Sequence, residues 1–183
     1  MTHALRAAHD AILVGIGTVF ADDPQLTVRH VRGEHPQPIV VDSGLRFPLR
    51  ARLLQHPTRP PWVFCAEQVA PDAIQSLAHL GARVFPVPTH KDGRVRLDSV
   101  LQTLAELEIN SIMVEGGAQI IQGFLTAHLA DYAAITLAPA LLGGYKAVND
   151  VMTTSQIPRI TPMNVHPLDP DILLYGPLRY GES

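Results

Sequence analysis

The chain has 183 residues, 46% of them hydrophobic, enough to bury one sizeable core within the usual length of a single domain. Its formal net charge is -3 and its only lysines are Lys91 and Lys146, a balance that excludes a nucleic-acid-coating or membrane-surface protein and leaves a small molecule as the expected partner. The single cysteine, Cys65, excludes a disulfide within the chain, and the absence of a signal h-region or an apolar run of transmembrane length points to the cytoplasm.

The first element is a strand over Ala11 to Val14, followed by Gly15-Ile16-Gly17-Thr18 and a helix that Asp22 and Asp23 end before Pro24. A strand over Pro38 to Asp42 runs into Ser43-Gly44-Leu45-Arg46. The run Trp62 to Ala66 is a third strand with Cys65 inside it, which reads as a buried thiol. Pro71 to Leu80 sets Ile74, Leu77 and Ala78 on one helical face. After a strand over Arg83 to Val87, Leu97 to Leu107 sets Leu97, Val100, Leu101, Leu104 and Leu107 on another, with Asp98 and Ser99 near its exposed start. Ser111 to Glu115 is a strand, Gly116-Gly117 a turn and Ala118 to Ala127 a helix. Strands over Asp131 to Leu137 and Asp171 to Tyr175 follow, with no helical pattern between Leu141 and Pro162, so the sheet is expected to finish antiparallel. The class is α/β, a mostly parallel mixed sheet flanked by helices in three layers.

Nine histidines show no His-x-His, His-x-x-x-His or Cys-x-x-Cys spacing, and no metal site is expected. The chemistry concentrates where strands meet glycines. At Glu115-Gly116-Gly117-Ala118, glycines let phosphate oxygens approach the backbone, and the free amides of a helix start favour an anion. The alternative is a tight connection and nothing more. A second junction of the same kind at Gly15 to Thr18 favours a dinucleotide lying across two strand ends, although neither junction has the Gly-x-Gly-x-x-Gly of an ordinary dinucleotide-binding domain. Arg46 either grips the 2′-phosphate that distinguishes NADPH from NADH or is a solvated surface arginine beside Arg50, Arg52 and Arg59.

Several segments together resemble one family over nearly the whole chain. These are Leu5-Arg6-Ala7, Asp10 to Arg29 with its Asp22-Asp23-Pro24-Gln25-Leu26-Thr27-Val28-Arg29 core, Val41-Asp42-Ser43, Val114-Glu115-Gly116-Gly117 and Ala138 to Gly144. They resemble the riboflavin-biosynthesis reductases, which occur alone or as the C-terminal domain of bifunctional pyrimidine deaminase-reductases. The resemblance implies a dihydrofolate reductase-like fold, a homodimer with Asp131 to Leu142 at its interface, and NADPH as cofactor. It implies reduction of 5-amino-6-(5-phosphoribosylamino)uracil, with hydride delivered to ribose C1′. Thr18, Asp22, Ser43 and the run Gly116, Gly117, Ala118, Gln119, Ile120 then resemble cofactor contacts, joined by Arg46. Arg6, Leu26, Arg29 and Glu115 resemble contacts to the phosphorylated pyrimidine substrate. No deaminase zinc motif is present.

The family also carries an N-terminal strand with a Lys-x-Ala-x-Ser-x-Asp-Gly-like sequence and a substrate loop, which this sequence lacks. The expectation is a truncated start with weak turnover; the alternatives are a longer chain, or strands that close ranks or are borrowed from a partner. Two other functional readings stand beside the main one: a related NADPH reductase for another pyrimidine or pterin-like substrate, and a non-catalytic nucleotide-binding remnant.

Overall fold

Runs of β-branched and aliphatic residues with no polar alternation belong in a parallel sheet buried on both faces, and such a sheet organises the N-terminal two thirds of the chain. The computed structural model describes residues 1–140, 147–148 and 157–181. They divide into two compact units, Met1–Ile120 and Ile121–Ser183.

In the first unit a short helix α1 (Thr2–Ala7) leads to β1 (Ala11–Gly15), α2 (Ile16–Asp22), β2 (Gln37–Val41), β3 (Trp62–Ala66), α3 (Pro71–His79), β4 (Arg83–Val87), α4 (Leu97–Glu106) and β5 (Ile112–Val114). The strands are parallel in the order β4-β3-β2-β1-β5. Every residue of β1 and β2 is buried, and Ile12, Val14, Val40 and Val63 join Ile16, Val19, Phe47, Leu53 and Leu77 in one core cluster. On the β3–β4 side Phe64 stacks on Phe85 at 5.0 Å and Arg83 covers both Phe85 and Trp62.

The expected strands and helices form within a residue or two of their expected limits, except the last strand, expected over Asp171 to Tyr175, which runs on to Arg179. On α4 the expected face is the one that packs, with Val100 and Leu104 fully buried. On α3 only Leu77 is fully buried and Ala78 is exposed, because a single turn of that helix reaches the sheet. The expected end of α2 is also found: Asp23 takes a left-handed conformation (φ 38°), and its carboxylate accepts the Arg52 amide at 2.8 Å.

The second unit finishes antiparallel, as expected. Following α5 (Ala118–Thr126), which begins in the first unit, β6 (Tyr132–Leu137) and β8 (Asn164–Leu168) flank the long β9 (Asp171–Arg179), whose last residues pair with β7 (Arg159–Ile160). Tyr180 closes the unit, donating its hydroxyl to the Ala130 carbonyl at 2.8 Å and stacking on His128. The parallel and antiparallel strands therefore form two sheets, with β5 at the edge of one and β6 at the edge of the other. Residues 141–146 and 149–156, which include most of the Ala138 to Gly144 motif, lie outside the described residues.

Candidate functional site

The strand order reverses at β1: the chain builds outward through β2, β3 and β4 on one side and returns to place β5 on the other. In an open α/β sheet the loops after two such strands leave their ends in opposite directions and open a crevice at the carboxyl edge. The loops after β2, β1 and β5 carry most of the residues singled out in the sequence, and all of these lie in the first unit.

The β5 loop is tied to β1 by the Glu115 amide, which donates to the Leu13 carbonyl at 2.9 Å. Gly116 and Gly117 follow with φ of 73° and 79°, a region that L side chains reach only with strain. Both are exposed. A Cβ on either would stand 3.3 to 3.4 Å from the Thr18 hydroxyl oxygen in the first turn of α2, so the turn is a cradle that a side chain would fill. The amides of Ala118 and Gln119, at the start of α5, have no hydrogen-bond partner among the described residues. The Ile120 amide differs from expectation. It donates to the Gly117 carbonyl at 3.0 Å, and its side chain packs where a Cβ on Gly15 would come within 2.6 Å; Ile120 locks the two glycine junctions together and offers no free donor.

The loop after β2 is fixed by its own backbone. The Asp42 amide donates to Phe64 O, the Ala66 amide to Ser43 O and the Leu45 amide to Asp42 O. The Ser43 hydroxyl accepts the Val95 amide at 3.0 Å, which leaves its own proton to donate. Arg46 is largely exposed, with its guanidinium 5.7 Å from the centre of the exposed Phe20 ring. Asp22, the last residue of α2, is exposed as well.

Arg6 and Glu115, expected to face a substrate separately, are instead paired with each other. The guanidinium donates from Nε and Nη2 to the two carboxylate oxygens at 2.9 and 2.6 Å, and from Nη1 to the Thr27 carbonyl at 3.0 Å. Each nitrogen of Arg6 makes one hydrogen bond, so the planar fork holds Glu115 and the 26–29 segment in place, while two of its five N–H groups make no bond among the described residues. Leu26 presents no exposed side chain: it is 2% exposed and belongs to the core cluster, where a left-handed backbone (φ 51°) turns it inward. Arg29 is exposed, and its guanidinium has no partner among the described residues.

Two sets of residues escaped sequence reasoning. His3 lies 3.1 Å from both the Thr27 carbonyl and the Arg29 amide through Nδ1, and His35 Nδ1 accepts the Val28 amide at 3.0 Å, so two histidines brace the 27–29 backbone. Burial and the nearby Arg6 hold His3 below the usual imidazole range. Asp42 is fully buried at the end of β2, and neither carboxylate oxygen has a hydrogen-bond partner. Burial pushes its carboxyl up, against the opposing pull of the Arg46 guanidinium and the nearby Arg46, Phe47 and Gly44 amides, which do not reach hydrogen-bond geometry. Burial and this carboxylate together push the Cys65 thiol up to about 11, so Cys65 is the inert buried thiol expected. In the sequence Asp42 stood out only as an acid closing an otherwise apolar strand and as a member of the Val41-Asp42-Ser43 segment, neither of which marks it as buried.

A polar cavity of about 260 Å³ lined by His9, Asp10, Glu34, His35 and Arg59 lies at the opposite, amino edge of the sheet, away from these loops.

Comparison with known proteins adds to this geometry. The family model described as the RibD C-terminal domain matches residues 1–174. The chain is 36% identical over 150 residues to a 2,5-diamino-6-ribosylamino-4(3H)-pyrimidinone 5′-phosphate reductase of Archaeoglobus fulgidus, covering 76% of this chain and 66% of the relative. Among solved structures it is similar to RibD of Acinetobacter baumannii, with a TM-score of 0.80 at 30% identity over 97% of this chain and 49% of that one. It is also similar to the Saccharomyces cerevisiae riboflavin biosynthesis reductase Rib7, with a TM-score of 0.76 at 26% identity over 98% and 80%. The chain spans 38% to 66% of the length of the curated relatives it matches.

Proposed function

The chain belongs to the RibD C-terminal domain family, and from that premise we propose that it reduces the ribosyl group of 5-amino-6-(5-phosphoribosylamino)uracil to a ribityl chain with NADPH. The observation that carries this reading is the Gly116-Gly117 cradle facing Thr18, with the Arg6–Glu115 pair directly before it on the same strand end. The name of the Archaeoglobus relative favours a second substrate, the 2-amino pyrimidinone that has not been deaminated; both carry the same phosphoribosylamine.

The residues fit a phosphate-bearing dinucleotide. Gly116 and Gly117 leave room for phosphate oxygens, and the free amides of Ala118 and Gln119 and the Thr18 hydroxyl donate to them. The Ser43 hydroxyl, Asp22 and Arg46 border the neighbouring strand ends, where Arg46 meets the adenosine 2′-phosphate. Bound there, NADPH supplies the hydride that reduces C1′ of the ring-opened sugar.

On the substrate side Glu115 accepts hydrogen bonds from sugar hydroxyls or ring N–H groups. Its two oxygens keep lone pairs beyond those that Arg6 uses. Arg6 fixes the direction of those lone pairs, and Arg29 is the free guanidinium for the 5-phosphate. The chain contributes alignment of C1′ with the cofactor and exclusion of other sugar conformers, the kind of positioning that lowers a barrier without a dedicated acid.

We further propose a homodimer formed through the second unit. Tyr132, Ile135 and Leu137 of the edge strand β6 are exposed, as are Ile172 on the adjoining β9 and Val165 on β8 across it, an exposed strand edge and apolar surface of the kind that pairs with another chain. The experiment that tests the main reading is NADPH oxidation in the presence of each of the two pyrimidine phosphates. Oxidation with at least one supports the reading, and oxidation with neither by a folded, NADPH-binding protein refutes it.

A further inference from the structure

Asp42 is an anomaly in an otherwise apolar strand end. It is 0% exposed, and both of its carboxylate oxygens lack hydrogen-bond partners. A buried carboxylate left in that condition is strongly unfavourable unless a cation answers it, and an orphaned buried polar group in a folded protein calls for an explanation. The cation beside it is Arg46, four residues on, whose Nε lies 3.8 Å from Oδ1.

Two features show that the arginine is folded back toward this acid. Its Cγ, Cδ and Nε lie 3.6 to 3.8 Å from where a Cβ on Gly44 would stand, so the side chain crosses the residue between it and Asp42. Its guanidinium carbon sits 5.7 Å from the Phe20 ring centre, which supports it from α2. The Arg46 side chain is nonetheless 66% exposed. Nε is the nitrogen that approaches the carboxylate, and the two terminal nitrogens make no hydrogen bond among the described residues. A phosphate takes that pair of donors bidentately, and the inner carboxylate does not compete for them.

We infer that Asp42 is a positioning residue: from beneath the β2 loop it holds Arg46 in one orientation, and so sets the preference of this site for a dinucleotide carrying a 2′-phosphate over one without it. The inference rests on the reading that Arg46 meets that phosphate. An untethered arginine loses much rotamer freedom on binding, so a guanidinium already held in place binds its anion at lower entropic cost. The effect belongs to the 2′-phosphate alone, because Asp42 touches none of the groups placed at the pyrophosphate cradle.

The test is equilibrium binding of NADP⁺ and NAD⁺ by calorimetry to four proteins: the parent chain, Asp42→Asn, Arg46→Gln and the double variant. Asp42→Ser takes the place of Asp42→Asn should the amide prevent folding. A purely structural lesion weakens both ligands alike, whereas loss of positioning moves their ratio. The expected result is a roughly tenfold fall in the NADP⁺:NAD⁺ affinity ratio for Asp42→Asn, a larger fall for Arg46→Gln, and no further fall in the double variant. If Arg46→Gln lowers the ratio and Asp42→Asn leaves it unchanged, the inference is overturned while the role of Arg46 stands. If Arg46→Gln leaves the ratio unchanged, the role of Arg46 and the inference fall together.

Discussion

Removing Arg6 tests whether the pair it makes with Glu115 is a structural clamp. Arg6→Ala deletes two charge-assisted hydrogen bonds to Glu115 and a third to the Thr27 carbonyl, and leaves a carboxylate with no cation beside it. Fully buried pairs cost about 3–5 kcal/mol when one partner is removed, and exposed pairs roughly 0–1 kcal/mol. The two side chains are 12% and 21% exposed, nearer the buried limit, so the expected loss is about 2–3 kcal/mol. For a chain of this size that corresponds to a fall of roughly 5–10 °C in Tm. Urea denaturation of Arg6→Ala, Glu115→Gln and the double variant isolates the pair, and the two losses should fail to add by about 1–2 kcal/mol. Losses below about 0.5 kcal/mol, the range of ordinary surface substitutions, or strict additivity, would refute the clamp.

Three other outcomes follow from the geometry. Gly117→Ala places a Cβ 3.3 Å from the Thr18 hydroxyl at φ 79° and should weaken NADPH binding roughly tenfold, while Gly93→Ala, with φ 80° and open space around it, should cost similar stability, about 1–2 kcal/mol, and leave binding alone; equal effects on binding would contradict the cradle. Asp42 has a folded pKa above its unfolded value, so its contribution to stability is fully present below the unfolded carboxylate range and is lost as pH rises through the folded pKa. Asp42→Asn should therefore gain stability relative to the parent as pH rises from about 4 toward neutrality, measured as urea midpoint against pH, and parallel curves would contradict the buried charge. Ile135→Lys on the exposed β6 should shift the protein from dimer to monomer in sedimentation equilibrium without unfolding it, and a parent chain that is monomeric at every concentration would exclude that interface.

The sequence made the parallel strands legible because burial on both faces demands unbroken apolar runs, and Ala11 to Val14 or Trp62 to Ala66 can do little else. The strand Asn164–Leu168 escaped because a proline and mostly exposed positions give it neither an apolar run nor an alternating pattern, as befits an edge. The two glycine junctions follow adjacent strands, β1 and β5, the condition under which two strand-glycine-helix units form one crevice. What the chain order hides is long-range pairing. Arg6 and Glu115 are 109 positions apart, and each looked like a free substrate ligand until the fold brought them together. Leu26 was assigned by its place in a motif, but the motif is read by the backbone as well as by the ligand, and a left-handed turn sends that side chain into the core. Asp42 read as the end of a strand because nothing in the sequence distinguishes a solvated terminal acid from a buried one.

In the proposed reaction NADPH, held by its phosphates at the Gly116-Gly117 cradle, delivers hydride from its nicotinamide to the sugar held by Glu115. The most direct measurement is transfer of deuterium to the pyrimidine phosphate from NADPH carrying deuterium at both hydrogens of the nicotinamide C4, with the product analysed by mass spectrometry and NMR. The account expects a ribitylamino product carrying a single deuterium at C1′. A folded, NADPH-binding protein that yields no ribityl product, or a product with the label elsewhere or absent, would contradict it.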